Sequence, residues 1–304
     1  MTRARRFIGS ALLLCAALGM PPTAQAATAA ESSRAELLAA YRLLEPRLRL
    51  GTGDAPLTVE TRTHDGLLLG DAYAILDHPY TNVSEALSNA RNWCDILPLH
   101  MNMKACTTRP RQTGTHLTLY AGRKSYQTPA QARAFNYNYH IQARDSGYFS
   151  ASLTADKDDA DSPPVALEAM PLDGEQTLIH VRYTWRTPLW LRVATDSYFA
   201  TLGAHKVGFS TTNGGQPGEP EYVGGLHGAI ERNALRYYLA LDSYFSTEHT
   251  PEAGRFDQRL NRWFDLTERY PVQLHEMDRD DYLRAKRKER TQQLKMQQRL
   301  DARR

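Results

Sequence analysis

Few residues of this 304-residue chain are spaced for chemistry. Cys94 and Cys106 stand twelve positions apart, and His100, Met101 and Met103 lie between them. Two readings fit: a disulfide, or a soft-ligand site of His100, Met101, Met103 and Cys106 that would suit copper. Adjacent strand residues point to opposite faces, so His100 and Met101 converge only if the backbone bends, and the disulfide is favoured. His116, His140 and His180 fall on the polar faces of expected strands; they would make a zinc site if those strands were neighbours and are otherwise solvated. No nucleophile elbow, HExxH or paired-carboxylate motif occurs. The glycine-rich run at 213–220 has no Gly-Lys-Ser/Thr after it and reads as a loop rather than a phosphate cradle. The sequence therefore offers no catalytic residue, no cofactor and no metal site as an expectation.

What must position these residues begins with a leader. Arg3, Arg5 and Arg6, then an apolar stretch from Phe7 to Met20, then Ala24-Gln25-Ala26, read as a signal peptide cleaved after Ala26. The expected home is periplasmic or secreted, where an even cysteine count supports a disulfide. Of the formal net charge of +3, these three arginines carry all, so residues 27–304 are neutral and the simplest support for a nucleic-acid partner is gone. A composition of 41% hydrophobic and 23% charged residues excludes collagen, coiled-coil arrays and wholesale disorder.

Residues 27–56 contain a leading helix, with Leu37, Tyr41, Leu44 and Leu48 at helical spacing. Leu57 to Arg62 and Leu67 to Leu76 flank an Asp65-Gly66 turn and read as a hairpin. Two short helices follow, at 81–90 and around Trp93. For about ninety residues apolar and polar positions then alternate: Tyr137, Tyr139 and Ile141 against Asn138 and His140; Ile179, Val181, Tyr183 and Trp185 against His180 and Arg182. That alternation predicts an antiparallel sheet covered on one face. A helix from about Leu226 to Phe245 presents Leu226, Ile230, Asn233, Tyr237, Leu241 and Tyr244 as one stripe to cover it.

This order of elements resembles the START-like helix-grip superfamily, also called SRPBCC. The resemblance is carried by Asp71-Ala72-Tyr73-Ala74-Ile75-Leu76-Asp77-His78-Pro79, Asn92-Trp93-Cys94-Asp95-Ile96-Leu97-Pro98 and Gly225-Leu226-His227-Gly228-Ala229-Ile230-Glu231-Arg232-Asn233, and spans residues 67–245. It implies an α+β fold, an antiparallel sheet curved around a long C-terminal helix, with a hydrophobic ligand between them. The chain departs from it by an insertion at 187–203 and by added helices at both ends.

The expected division is a signal peptide (1–26), leading helix (27–56), START-like ligand-binding domain (57–248), helical extension (249–283) and basic tail (284–304). Tyr137, Tyr139, Tyr183, Trp185 and Tyr237 are expected to line one cavity. Asn233 on the stripe needs a partner, either a protein group or a ligand head group assisted by Glu231 and Arg232. The tail carries nine Lys or Arg against Glu289 and Asp301, a net +7 balanced by −7 in residues 27–283. It reads as a solvated helix or as a means of docking on anionic membrane. The function expected is an exported carrier of a hydrophobic or amphipathic small molecule such as a lipid. An enzyme of hydrolase or cyclase type using the same cavity, or a structural protein with a filled core, are the alternatives.

Overall fold

The computed structural model describes residues 22–64, 67–156, 163–186, 206–212 and 221–303. Its elements follow in chain order: α1 (Pro22–Leu50), β1 (Leu57–His64), β2 (Leu67–Leu76), α2 (Tyr80–Ser88), α3 (Ala90–Ile96), β3 (Met103–Pro110), β4 (Thr115–Ala121), β5 (Arg133–Arg144), β6 (Phe149–Ala155), β7 (Val165–Pro171), β8 (Thr177–Arg186), α4 (Gly225–Phe245), α5 (Glu252–Thr267), α6 (Pro271–Leu274) and α7 (Arg279–Asp301). The strands form one antiparallel sheet in the order β1-β2-β8-β7-β6-β5-β4-β3. Register shifts in β3 and β5 bend it, as bulges do.

Period-two alternation sorts the sheet into two faces. Ala74, Leu76, Ile179, Leu167, Ala169, Phe149, Ala151 and Tyr139 share the face turned to the helices, where they form the main core with Val83, Leu87, Leu99, Leu235, Leu239, Trp263, Phe264 and Tyr282. The opposite face is not left wet. Leu37, Leu44 and Leu48 of α1 pack on Tyr73, Ile75, Met170 and Leu178 there. The expectation of a sheet covered on one side is corrected by this contact. His180 and Asp71 on that face are buried and bonded to protein groups, as described below.

The tail differs most from its reading as a solvated end. It belongs to α7, which runs through the expected division at 283/284 and lies along β3. Tyr282, Lys286, Glu289 and Gln293 are buried on one side of it. Gln293 Oε1 accepts from the Cys106 backbone N–H (2.8 Å); Gln297 accepts from the Thr108 N–H and donates to its carbonyl (2.8 and 2.9 Å). The outer edge of β3 is thus completed by side-chain amides. An unpaired strand edge is a site of aggregation that proteins cover in such ways.

Residues 206–212 form an irregular segment with one bridge, Thr211 to Tyr222. The turn at 65–66, the insertion at 187–203, the loop at 213–220 and most of the leader lie outside the described residues, and α1 runs through the expected cleavage point after Ala26. No helix among the described residues is long and apolar enough to cross a membrane.

Candidate functional site

The sheet and α4 frame the candidate site. Strand alternation fixes which side chains face α4, and pairing sets them in rows. Val59, Ala72 and Val181 make one row; Gly70, Tyr183, Val165 and Leu153 make the next. Unlike the packed core at the α2 end, Val59, Ala72, Leu153, Val181 and Tyr183 are half-buried, as are Leu119 and Phe135 further along the same face. On α4, Ile230, Ala234 and Tyr237 are half-buried too. α4 packs over β1 and β2, with Thr61 Oγ1 2.7 Å from His227 Nδ1 and the Tyr238 hydroxyl on the Ile75 carbonyl (3.2 Å). Val59, Ala72, Leu153, Val181 and Ala234 pack there against the margin of the main core.

Tyr183 lies on this face with its ring across Gly70, so close that a Cβ on Gly70 would meet it at 2.0 Å. Its hydroxyl is buried and has no hydrogen-bond partner among the described residues. Burial pushes this phenol up to about 12, so it is a neutral donor at physiological pH.

On the α4 side, His100 stacks on Tyr237 with ring centres 4.7 Å apart. The Asn102 backbone N–H donates to His100 Nδ1 (3.1 Å), so the ring proton is on Nε2, 3.3 Å from Asn233 Oδ1. Burial, then the nearby Arg236 and Lys286, hold His100 well below its ordinary value, which keeps it neutral. Asn233 thus has a protein partner and is otherwise exposed. Glu231 and Arg232, considered as helpers of a ligand head group, hold residues 207–210 instead. Glu231 Oε2 accepts from the Phe209 and Ser210 N–H groups, and Arg232 donates to the Val207 carbonyl (2.8 Å).

The other expected lining residues part company. Tyr139 donates its hydroxyl to the Leu87 carbonyl (2.6 Å) and belongs to the main core. Tyr137 is buried beside the Cys94–Cys106 disulfide with Leu117, and its phenol acts electrostatically on Tyr237, whose own is pushed by burial up to about 12. The Trp185 side chain lies outside the described residues. The copper reading falls with the disulfide.

His180 is on the far face and is not solvated. It sits between two carboxylates, Asp71 (2.8 Å) and Glu168 (2.7 Å), with the Tyr73 ring stacked on it at 4.2 Å. Burial opposes its charge, but the bonds to Asp71 and Glu168 raise it above its ordinary value. Tyr148 donates to Glu168 and Arg182 to Asp71 (2.7 Å). His116 lies 3.4 Å from Asp156, so the three histidines do not meet, and among the described residues no cluster could hold a metal. Sequence reasoning missed this network because Asp71, Glu168 and His180 are far apart in the chain; their shared alternation parity is the one signal that groups them.

Two cavities open elsewhere on the surface. One, of about 430 Å³, is lined by Glu85, Asn89, Arg91, Thr108 and Arg144 among others; the second, of about 230 Å³, lies beside Tyr126, Met277 and Lys288.

No protein-family model and no curated protein matches the chain. Solved structures do. A STAR-related lipid transfer protein fragment from Xanthomonas axonopodis is 14% identical, covering 48% of this chain and 89% of its own, with a TM-score of 0.34. A START superfamily protein from Mycobacterium smegmatis is 13% identical (42% and 88% covered, TM-score 0.30). The Zhui aromatase/cyclase from Streptomyces sp. R1128 is 12% identical (65% and 94% covered, TM-score 0.30). By its own topology, one antiparallel sheet with two short helices after its second strand and a long helix laid across the same face, the chain has a START-like helix-grip fold.

Proposed function

We propose that this chain is an exported protein that binds an apolar or amphipathic small molecule of lipid type between sheet and α4. The observation that carries the reading is Tyr183. Its buried hydroxyl has no partner among the described residues, and Tyr183 shares its sheet face with half-buried Val181, Leu153 and Ala72, which suits one polar contact in an apolar ligand site. An unmatched buried hydroxyl costs about 1 to 3 kcal/mol, which a ligand acceptor would relieve. Export is supported by the leader and by the disulfide, which persists in oxidising compartments.

The test is mass spectrometry of an organic extract of the protein purified from the periplasm, with the first residue read by N-terminal sequencing. A stoichiometric apolar compound is expected, on a chain that begins at Ala27. Leu153→Trp, which would block the proposed site, should lower its recovery at least tenfold. An extract empty for both proteins would refute the carrier and favour a filled core.

A further inference from the structure

We infer that two copies of this chain pair through the free edge of β1, in antiparallel register about Thr61. The sheet has two edges, and the chain treats them differently. At β3 the edge is met by the amides of Gln293 and Gln297. At β1, the Ile75 N–H donates to the Pro56 carbonyl (2.9 Å), and the pairs Thr58–Tyr73, Glu60–Asp71 and Arg62–Leu69 continue that register. Alternate residues of an antiparallel strand bond to one neighbour and then the other, so Leu57, Val59, Thr61 and Thr63 turn their backbone groups outward. Leu57 is provided for: its N–H donates to the Ala55 carbonyl (2.7 Å), and its carbonyl accepts from Thr52 Oγ1 (2.8 Å). The outward groups of Val59 and Thr61 make no hydrogen bond among the described residues. A row of this kind is a template for a further strand.

The charged residues between them select the partner. With Thr61 opposite its own copy, Val59 meets Thr63 and Glu60 meets Arg62, once on each side of the two-fold axis. Opposite charges directly across a strand pair attract, and like charges repel. An axis at Glu60 would set two carboxylates against each other, and one at Arg62 two guanidinium groups. Both side chains have capacity to spare. Arg62 is 70% exposed and reaches Asp71 only at 3.4 Å, while Glu60 gives Oε1 to Arg47 of α1 and keeps Oε2.

A second observation lies on α1. Arg47 marks the side of that helix nearest β1, and Leu43 and Leu50, four residues before it and three after, share that side. They are 81% and 82% exposed, the most exposed large apolar side chains among the described residues. A two-fold axis perpendicular to the sheet keeps each face with its like, so the second copy brings its own α1 alongside this stripe, where the two helices can cover each other's leucines. Pairing of this kind holds whether or not the chain carries a ligand.

The experiment is sedimentation equilibrium of the purified full chain at micromolar concentration. A mass twice that of the chain is expected. Thr61→Pro removes an outward N–H where β1 gives nothing to β2, and should halve that mass with the far-UV circular dichroism unchanged. Glu60→Arg should raise the dissociation constant at least tenfold. Glu60→Arg/Arg62→Glu should return it to within threefold of the original, because the exchanged charges meet again across the axis; should Thr61→Pro fail to fold, this recovery still decides. A chain that is monomeric without substitution, a dimer that survives a folded Thr61→Pro, or a Glu60→Arg loss that the exchange does not repair would overturn the pairing. The first of these would leave the edge to an extended segment of another protein.

Discussion

Replacing Glu289 by Gln removes the one carboxylate that two buried lysines share. Glu289, Lys104 and Lys286 have side chains 3%, 1% and 3% exposed, so water cannot take over its role. Lys104 would keep the Met101 and Ser125 carbonyls and Lys286 the Met103 carbonyl, which orient both ammonium groups without neutralising either. Burial already lowers Lys286 from 10.5 to about 8, worth about 3 kcal/mol of charge kept at neutral pH against its surroundings. Removing one partner of a buried pair typically costs about 3 to 5 kcal/mol, the loss expected here at pH 6.5. The sign with pH follows from both lysines being lowered in the fold. The unfolded chain binds more protons between about 8 and 10.5, so stability rises with pH through that window. Because Glu289 then faces one charged lysine instead of two, the variant's deficit should shrink at pH 9. Urea unfolding followed by the fluorescence of Trp263, buried against Tyr282, reads both values. A deficit below about 1 kcal/mol at pH 6.5, or the same deficit at both pH values, would refute the reasoning. Lys286→Met in the same chain should recover part of the loss, since an apolar side chain of similar volume replaces an uncompensated charge.

Three other outcomes are expected. Gln293→Ala and Gln297→Ala should each lose about 1 to 3 kcal/mol in urea unfolding, because each strands a backbone N–H of β3; wild-type stability in both would show that the edge does not need α7. Reducing Cys94–Cys106, which closes a twelve-residue separation, should lower stability by roughly 3 kcal/mol, read as the shift in unfolding midpoint with and without reductant, and no shift would show that the bond leaves the unfolded chain unconstrained. Asp71 and Glu168 are both lowered by their bonds to His180, outweighing burial, so their contribution should vanish as pH falls below about 4, while that of the raised His180 should vanish as pH climbs above about 6.5. His180→Gln should flatten both limbs of the stability profile, and an unchanged profile would refute the pairing.

How much of this was legible in the sequence depends on what each element buries. The strands were readable because Ile179, Val181 and Tyr183 alternate with His180 and Arg182, and sheet pairing preserves that pattern. α4 was readable as a helix, but the buried set is Arg232, Leu235, Arg236, Leu239 and Ser243 as much as the apolar stripe, since α5 and α6 cover its other side. The tail was misread for a related reason. Tyr282, Lys286, Glu289, Gln293 and Gln297 recur at steps of four, three, four and four, a helical stripe made of polar residues. A search for apolar periodicity passes over it. Of the candidate site, the sequence singled out Tyr183, Tyr237 and Asn233 but not His100, which contacts the last two, because loop and helix meet only through the fold.

The amides of Gln293 and Gln297 also impose an order in time. Strand β3 emerges from the ribosome 187 residues before the side chain that completes its edge at Cys106. At about 5 to 20 residues per second, that edge waits roughly 10 to 40 s for its cover. During this interval the nascent sheet presents an open strand to any neighbour, and no shortened chain lacking its last twenty residues can close it. A protein built this way gains from being held unfolded until synthesis ends. Export as an extended chain, as proposed above, would impose that schedule, with the C-terminus arriving last and the sheet sealed on arrival.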